Sequence, residues 1–226
     1  MGDAIGQMLA SAVGIAISPL PLIAVILMLA TPKGRRNGIA FTAGWVLSLA
    51  VLVTVVILAG SGGNASGGGD SPASWTLWLK LGLGVLFLLM GVKQWKDRPR
   101  EGRAADQPGW MAAIDRFSPA KSAGLAAALA AANPKNLVLA VGGAVSIAAS
   151  TAPAGGKAVA AVLMVLIASL CTLLPLGVYL LGGSRSAKVL REWKAWMGAH
   201  NAAIMTTVLI ILGAKYIGDA VSGLSG

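Results

Sequence analysis

Long apolar stretches alternate with short polar connections along the chain. Six of the stretches, at about 4–31, 38–60, 74–95, 119–150, 157–182 and 202–222, reach or exceed the roughly 20 helical residues that cross a hydrocarbon core of about 30 Å. The pattern predicts an all-α polytopic membrane protein with six transmembrane helices. Two of the six are interrupted from within, the first by Ser18-Pro19-Leu20-Pro21 and the fourth by Asn133-Pro134-Lys135-Asn136. A proline inside a helix removes a backbone hydrogen bond and clashes with the preceding turn, and in lipid the freed carbonyls must be satisfied elsewhere. Helices 1 and 4 are therefore expected to be broken. A lysine at the depth of Lys135 costs about 2.5 to 3.5 kcal/mol on insertion scales, so it is expected to face protein or a water-filled cavity.

The two breaks also mark an internal repeat. Ser18-Pro19 corresponds to Asn133-Pro134, and Leu86–Lys93 (LFLLMGVK) to Val208–Lys215 (VLIILGAK), at offsets of 115 and 122 residues. This divides the chain into a first three-helix repeat (1–95), a basic linker with an interfacial segment (96–117) and a second three-helix repeat (118–226). Three helices is an odd number, so the halves enter the membrane in opposite directions. The result is a 3+3 inverted-topology repeat, the plan of secondary transporters whose sites lie where discontinuous helices meet.

Composition and charge sharpen this reading. With 56% apolar and 12% charged residues, the chain does not have a soluble globular composition. A net charge of +10 would suggest nucleic acid in a soluble protein, but here 14 of the 18 basic residues lie in three connections or their helix ends: Lys33–Arg36, Lys93–Lys121 and Arg185–Lys194. By the positive-inside rule these face the cytoplasm, which makes this a multi-pass plasma-membrane protein with both termini outside and no nucleic-acid partner. The start has no basic n-region and is read as helix 1, not as a cleavable signal. Lys80 is expected to snorkel outward. Trp110, Met111, Ile114 and Phe117 recur at helical spacing and suggest a short interfacial helix. Between helices 5 and 6, Val189, Leu190, Trp193, Trp196 and Met197 share one face and Arg185, Lys188, Arg191 and Lys194 the other; this stretch is either an amphipathic helix lying on the inner leaflet or an ordinary basic connection. Trp45, the one tryptophan well inside a span, either lines a cavity or packs. Lys215 and Asp219 are four apart and can pair.

Other chemistries are poorly provided for. One cysteine, Cys171, and one histidine, His200, offer neither a metal cluster nor a thiol pair, no His, Asp or Glu constellation supports an enzyme, and no phosphate-loop sequence is present, so no cofactor or metal is expected. Asn64-Ala65-Ser66 matches a glycosylation triplet and is assigned no function. Gly82 with Gly84, and Gly142 with Gly143, permit close packing within the chain or in a homo-oligomer.

Two segments, SPLPLIAVILMLATPKGRRNGIAFTAGW near the start and WMAAIDRFSPAKSAGLAAALAAANPKNLVLAVGGAVSIA in the middle, resemble the glycopeptidolipid- or sulfolipid-addressing (GAP) family, which is grouped with the LysE superfamily of exporters. The resemblance covers most of the six-helix body. It implies a 3+3 inverted repeat and a part in moving cell-envelope glycolipids or related amphiphiles to the cell surface, while LysE-type relatives export small solutes such as basic amino acids.

The candidate substrate-binding residues are Ser18, Pro19, Pro21, Trp45, Asn133, Pro134, Lys135 and Asn136. Backbone amides and helix N-terminal dipoles near the two breaks, with Lys135 as the positive charge, favour an anionic or zwitterionic substrate exported by alternating access. With no carboxylate embedded away from the helix ends, Lys135 is the group left to lose and regain a proton. The alternatives are a LysE-type small-solute exporter and a non-transporting scaffold for envelope-lipid assembly that recruits partners through its basic connections. In each case membrane lipids, and an anionic lipid or small molecule, are the expected partners.

Overall fold

A computed structural model describes residues 2–62, 74–98 and 110–225, and among the described residues every regular element is helical. The Asn64 triplet, Asp70 and residues 99–109 of the 96–117 linker lie outside the described residues, as do the side chains of Asp3, Trp75 and Trp110. The elements are α1 (Gly2–Ala16), α2 (Pro19–Leu29), α3 (Gly34–Gly62), α4 (Ser74–Lys96), α5 (Trp110–Ala113) with a 3-10 turn (Ile114–Arg116), α6 (Pro119–Ala127) with a π-helical turn (Ala128–Ala132), α7 (Pro134–Ala148), α8 (Ala154–Ala168), α9 (Leu170–Leu181) and α10 (Ser186–Ser225). By length and composition α3, α4 and α10 can each cross a membrane alone. Three bent pairs can do so together: α1 with α2, the α6 segment with α7, and α8 with α9, bent by 47°, 65° and 57°.

The first two bends are those expected at Pro19 and Pro134. The third corrects the expectation of a continuous fifth helix. The break falls at Ser169, just before the point where Cys171 Sγ and Thr172 Oγ1 bond back to the Ala168 and Ser169 carbonyls at 3.4 and 3.0 Å; Pro175 lies farther along, inside α9. Side chains that bond back along the helix are a recognised cause of bending.

A second correction concerns the last helix. The basic stretch after Arg185 is neither a separate surface helix nor a loop: it runs without interruption into the last candidate span, forming one helix of 40 residues, about 60 Å long. It contains no proline, and its lysines, alanines, leucine and arginine all tolerate a helix well.

α4 and α10 lie against each other with their backbones in contact. A Cβ on Gly84 would stand 2.9 Å from Ile217 N and 3.0 Å from Gly213 O, whereas Gly82 has nothing within 4 Å. Gly142 meets Tyr216, and Gly143 meets Ser11 and Met164, so these small residues serve packing within the chain. Lys80 shares the face of Gly84 that turns toward α10. It is 7% exposed and buried, not extended outward along the lipid-facing surface. The segment after α5 also docks on the body: Ile114 is buried, Phe117 packs against the core, and Asn37 Nδ2 donates to the Phe117 carbonyl at 3.0 Å.

Candidate substrate cavity

The two predicted breaks are built alike. Ser18 and Asn133 each precede a proline, which disfavours helical backbone, and both are extended (φ −71°, ψ 118° and φ −75°, ψ 114°). Each is the N-cap of the helix that follows, with proline at its first position, where the missing N–H costs nothing. They differ in what the cap side chain does. Asn133 Oδ1 accepts from the Lys135 backbone N–H at 3.2 Å, as a capping residue should. Ser18 makes no such bond. Its hydroxyl accepts instead from Lys135 Nζ at 2.9 Å, and the same nitrogen lies 2.7 Å from Met205 Sδ of α10.

Around this contact is a cavity of about 200 Å³. Ser18, Pro19 and Leu20 at the start of α2 form one wall and Asn133, Pro134 and Lys135 at the start of α7 another; Met90 and Gln94 of α4 and Asn201 and Met205 of α10 complete it. Both breaks therefore open onto one space. Five of the sequence-predicted residues, Ser18, Pro19, Asn133, Pro134 and Lys135, are brought together there.

The other three lie elsewhere. Pro21 is buried in the first turn of α2. Trp45 is fully buried in the core on α3, and its ring nitrogen has no hydrogen-bond partner among the described residues. Asn136 is fully buried and donates from Nδ2 to the Leu129 carbonyl at 3.0 Å, while Asn133 N–H reaches the Ala128 carbonyl at 3.1 Å. In this π-helical register the Leu129 carbonyl would face the missing N–H of Pro134, and the Asn136 side chain takes its place, so the second asparagine of the motif holds the break together.

Gln94 and Asn201 were not singled out in the sequence. Each carboxamide has no hydrogen bond among the described residues, and both line the cavity with Lys135. The available signal was a lone carboxamide at the edge of an apolar run. Backbone donors are fewer than the sequence suggested: Pro19, Pro21 and Pro134 have no N–H, and that of Lys135 is capped. The side chains of Lys135, Gln94 and Asn201 are thus the main donors. No carboxylate lies on the wall, and the ion pairs among the described residues, Lys188–Glu192 and Lys215–Asp219, are elsewhere.

Toward the C-terminal end of α10 the space is closed. Ser11 Oγ and Tyr216 OH are hydrogen-bonded at 2.9 Å, and at Gly14 a Cβ would find Leu139, Val208 and Leu212 within 3.2 to 3.3 Å. Toward the N-terminal end of α10 there is a more open groove of about 330 Å³ lined by Leu22, Trp193, Trp196 and Met197.

The family model described as "Sap, sulfolipid-1-addressing protein" matches residues 8–222, a range that takes in both breaks and every cavity residue named above. No curated protein and no solved structure matched the chain. With the match running over nearly its whole length, the chain belongs to the sulfolipid-1-addressing protein family.

Proposed function

We propose that the protein exports an anionic or zwitterionic amphiphile, a cell-envelope lipid or lipid precursor, across the plasma membrane by alternating access at the Lys135 cavity. The observation that carries this reading is the environment of Lys135. It is 9% exposed, faces a cavity with two carboxamides free to donate, and has no carboxylate beside it. A buried cation without a counter-charge is costly, and an anionic headgroup would supply one. The family's role in addressing a sulfolipid points the same way. The matching Ser18-Pro19 and Asn133-Pro134 caps favour two inverted halves, with the basic connections inside and both termini outside. The bend at Ser169 is a departure from that symmetry, because its counterpart α3 is continuous.

Cavity size favours a second reading. A volume of about 200 Å³ matches about seven waters at their share of liquid volume, enough for a headgroup or an amino acid but not for a whole lipid. A LysE-type small-solute exporter would use the same residues. Transport in proteoliposomes, comparing a fluorescent anionic lipid with a small amino acid, separates the two. Lipid movement that is lost in Lys135→Ala supports the lipid exporter, and solute movement alone supports the small-solute reading. If neither moves, the scaffold reading takes their place.

A further inference from the structure

We propose that the Lys135 cavity and the Trp193 groove are two compartments of one amphiphile site, in which the cavity holds an anionic headgroup and the groove holds a hydrocarbon chain of the same molecule. The inference rests on the anion-binding reading of the cavity and adds the tail to it.

The two spaces share two walls. On α2, Ser18 lines the cavity and Leu22, one turn later, lines the groove. On α10, Asn201 lines the cavity, and Met197 and Trp193, at successive turns, line the groove. A turn rises about 5.4 Å, so both walls lead from one space to the other within one or two turns. The chemistry changes over that distance. The cavity presents an amine, a hydroxyl and carboxamides, whereas the groove side chains are aliphatic, thioether and indole. An elongated ligand that is polar at one end and apolar at the other fits this change. Lys188, Arg191 and Lys194 on the same third of α10 add a positive potential that would attract an anionic amphiphile to the groove. A separate protein segment is a poorer occupant, because it would leave unfilled the polar cavity that lies one or two turns away along the same two helices.

The test uses the full chain in phosphatidylcholine nanodiscs, titrated with butyl, octyl and dodecyl phosphate and with dodecyl phosphate brominated at the chain end. In wild type, affinity should rise by up to about fourfold per added methylene until the groove is filled. The brominated chain should quench tryptophan emission saturably, and the quenching should disappear in a Trp193→Phe/Trp196→Phe variant. Leu22→Phe and, separately, Met197→Phe fill the groove; each should cut the dodecyl advantage at least tenfold while leaving butyl phosphate binding intact, which also shows that the variant is folded. Equal affinity for butyl and dodecyl phosphate would overturn the bipartite site and leave the headgroup reading standing. Equal quenching by phosphatidylcholine brominated in its chains would also overturn it, by assigning the groove to bulk lipid. Failure of wild type to bind butyl phosphate, or binding unchanged in Lys135→Ala, would instead remove the headgroup reading.

Discussion

The side chains of Lys135 and Ser18, 117 residues apart in the chain, meet at 2.9 Å and tie the two proline breaks together at the edge of the cavity. The bond gives the lysine a neutral partner and leaves it without a counter-ion. Such an arrangement holds the amine in place and keeps its charge available to a ligand.

Lys135→Met keeps the length of the side chain and removes the amine. Replacing a lone buried charge with an apolar group of similar volume removes its desolvation cost, so the melting temperature in detergent should hold or rise. Losing a charged donor worth about 1.5 to 3 kcal/mol should weaken anion binding tenfold or more. Lys135→Arg gives a third arm: transport that matches wild type at every pH would exclude Lys135 as a proton carrier, because the arginine charge is permanent.

Asn136→Ala should destabilise the fold by about 1 to 3 kcal/mol, since it leaves the buried Leu129 carbonyl unpaired. Asn136→Asp should not rescue it, because a carboxylate cannot donate to a carbonyl. Equal thermal stability of Asn136→Ala and wild type would mean that the break is held by the π-helical turn alone.

Gly84→Ala and Gly82→Ala are two residues apart and should behave differently. The first pushes a methyl group into the α10 backbone and should cost about 1 to 3 kcal/mol. The second meets open space and should be neutral or slightly stabilising through helix propensity. Thermal unfolding of the two variants side by side decides the matter.

Thr172→Val removes the hydroxyl that bonds back to the Ser169 carbonyl and should reduce the 57° bend. Spin labels at the exposed Val159 and Leu180, in a Cys171→Ala background, should then lie farther apart. An unchanged distance would mean that the back-bonded Thr172 hydroxyl does not hold the bend.

Much of this architecture could be read from the sequence because its main devices are prohibitions. Proline forbids a regular helix, which exposed the breaks at Ser18 and Asn133, and hydrocarbon penalises a lysine, which marked Lys135. Features that depend on a partner were not visible. Asn136 looked like a binding residue because its bond to Leu129 exists only once the chain bends. Gln94 and Asn201 sit at the ends of apolar runs, where hydropathy treats a carboxamide as boundary, and only the meeting of α4, α7 and α10 places them beside Lys135. The polar stretch after Arg185 resembled a connection because hydropathy reports solvent preference, while helix propensity decided its conformation. The third bend, at Ser169, has no proline at the break to announce it.

Of the six candidate spans, the three bent ones each contain a joint, whereas α10 is a single rod about twice as long as the hydrocarbon is thick, clamped to α4 by backbone contact at Gly84 and Gly213. A clamped pair without a joint moves as one piece. Motion that opened the closed end near Tyr216 would then fall to the jointed spans swinging against a fixed post. Because a rod of that length exceeds the thickness of the hydrocarbon, a contact made at its basic end would be carried along a single stiff body to the other end.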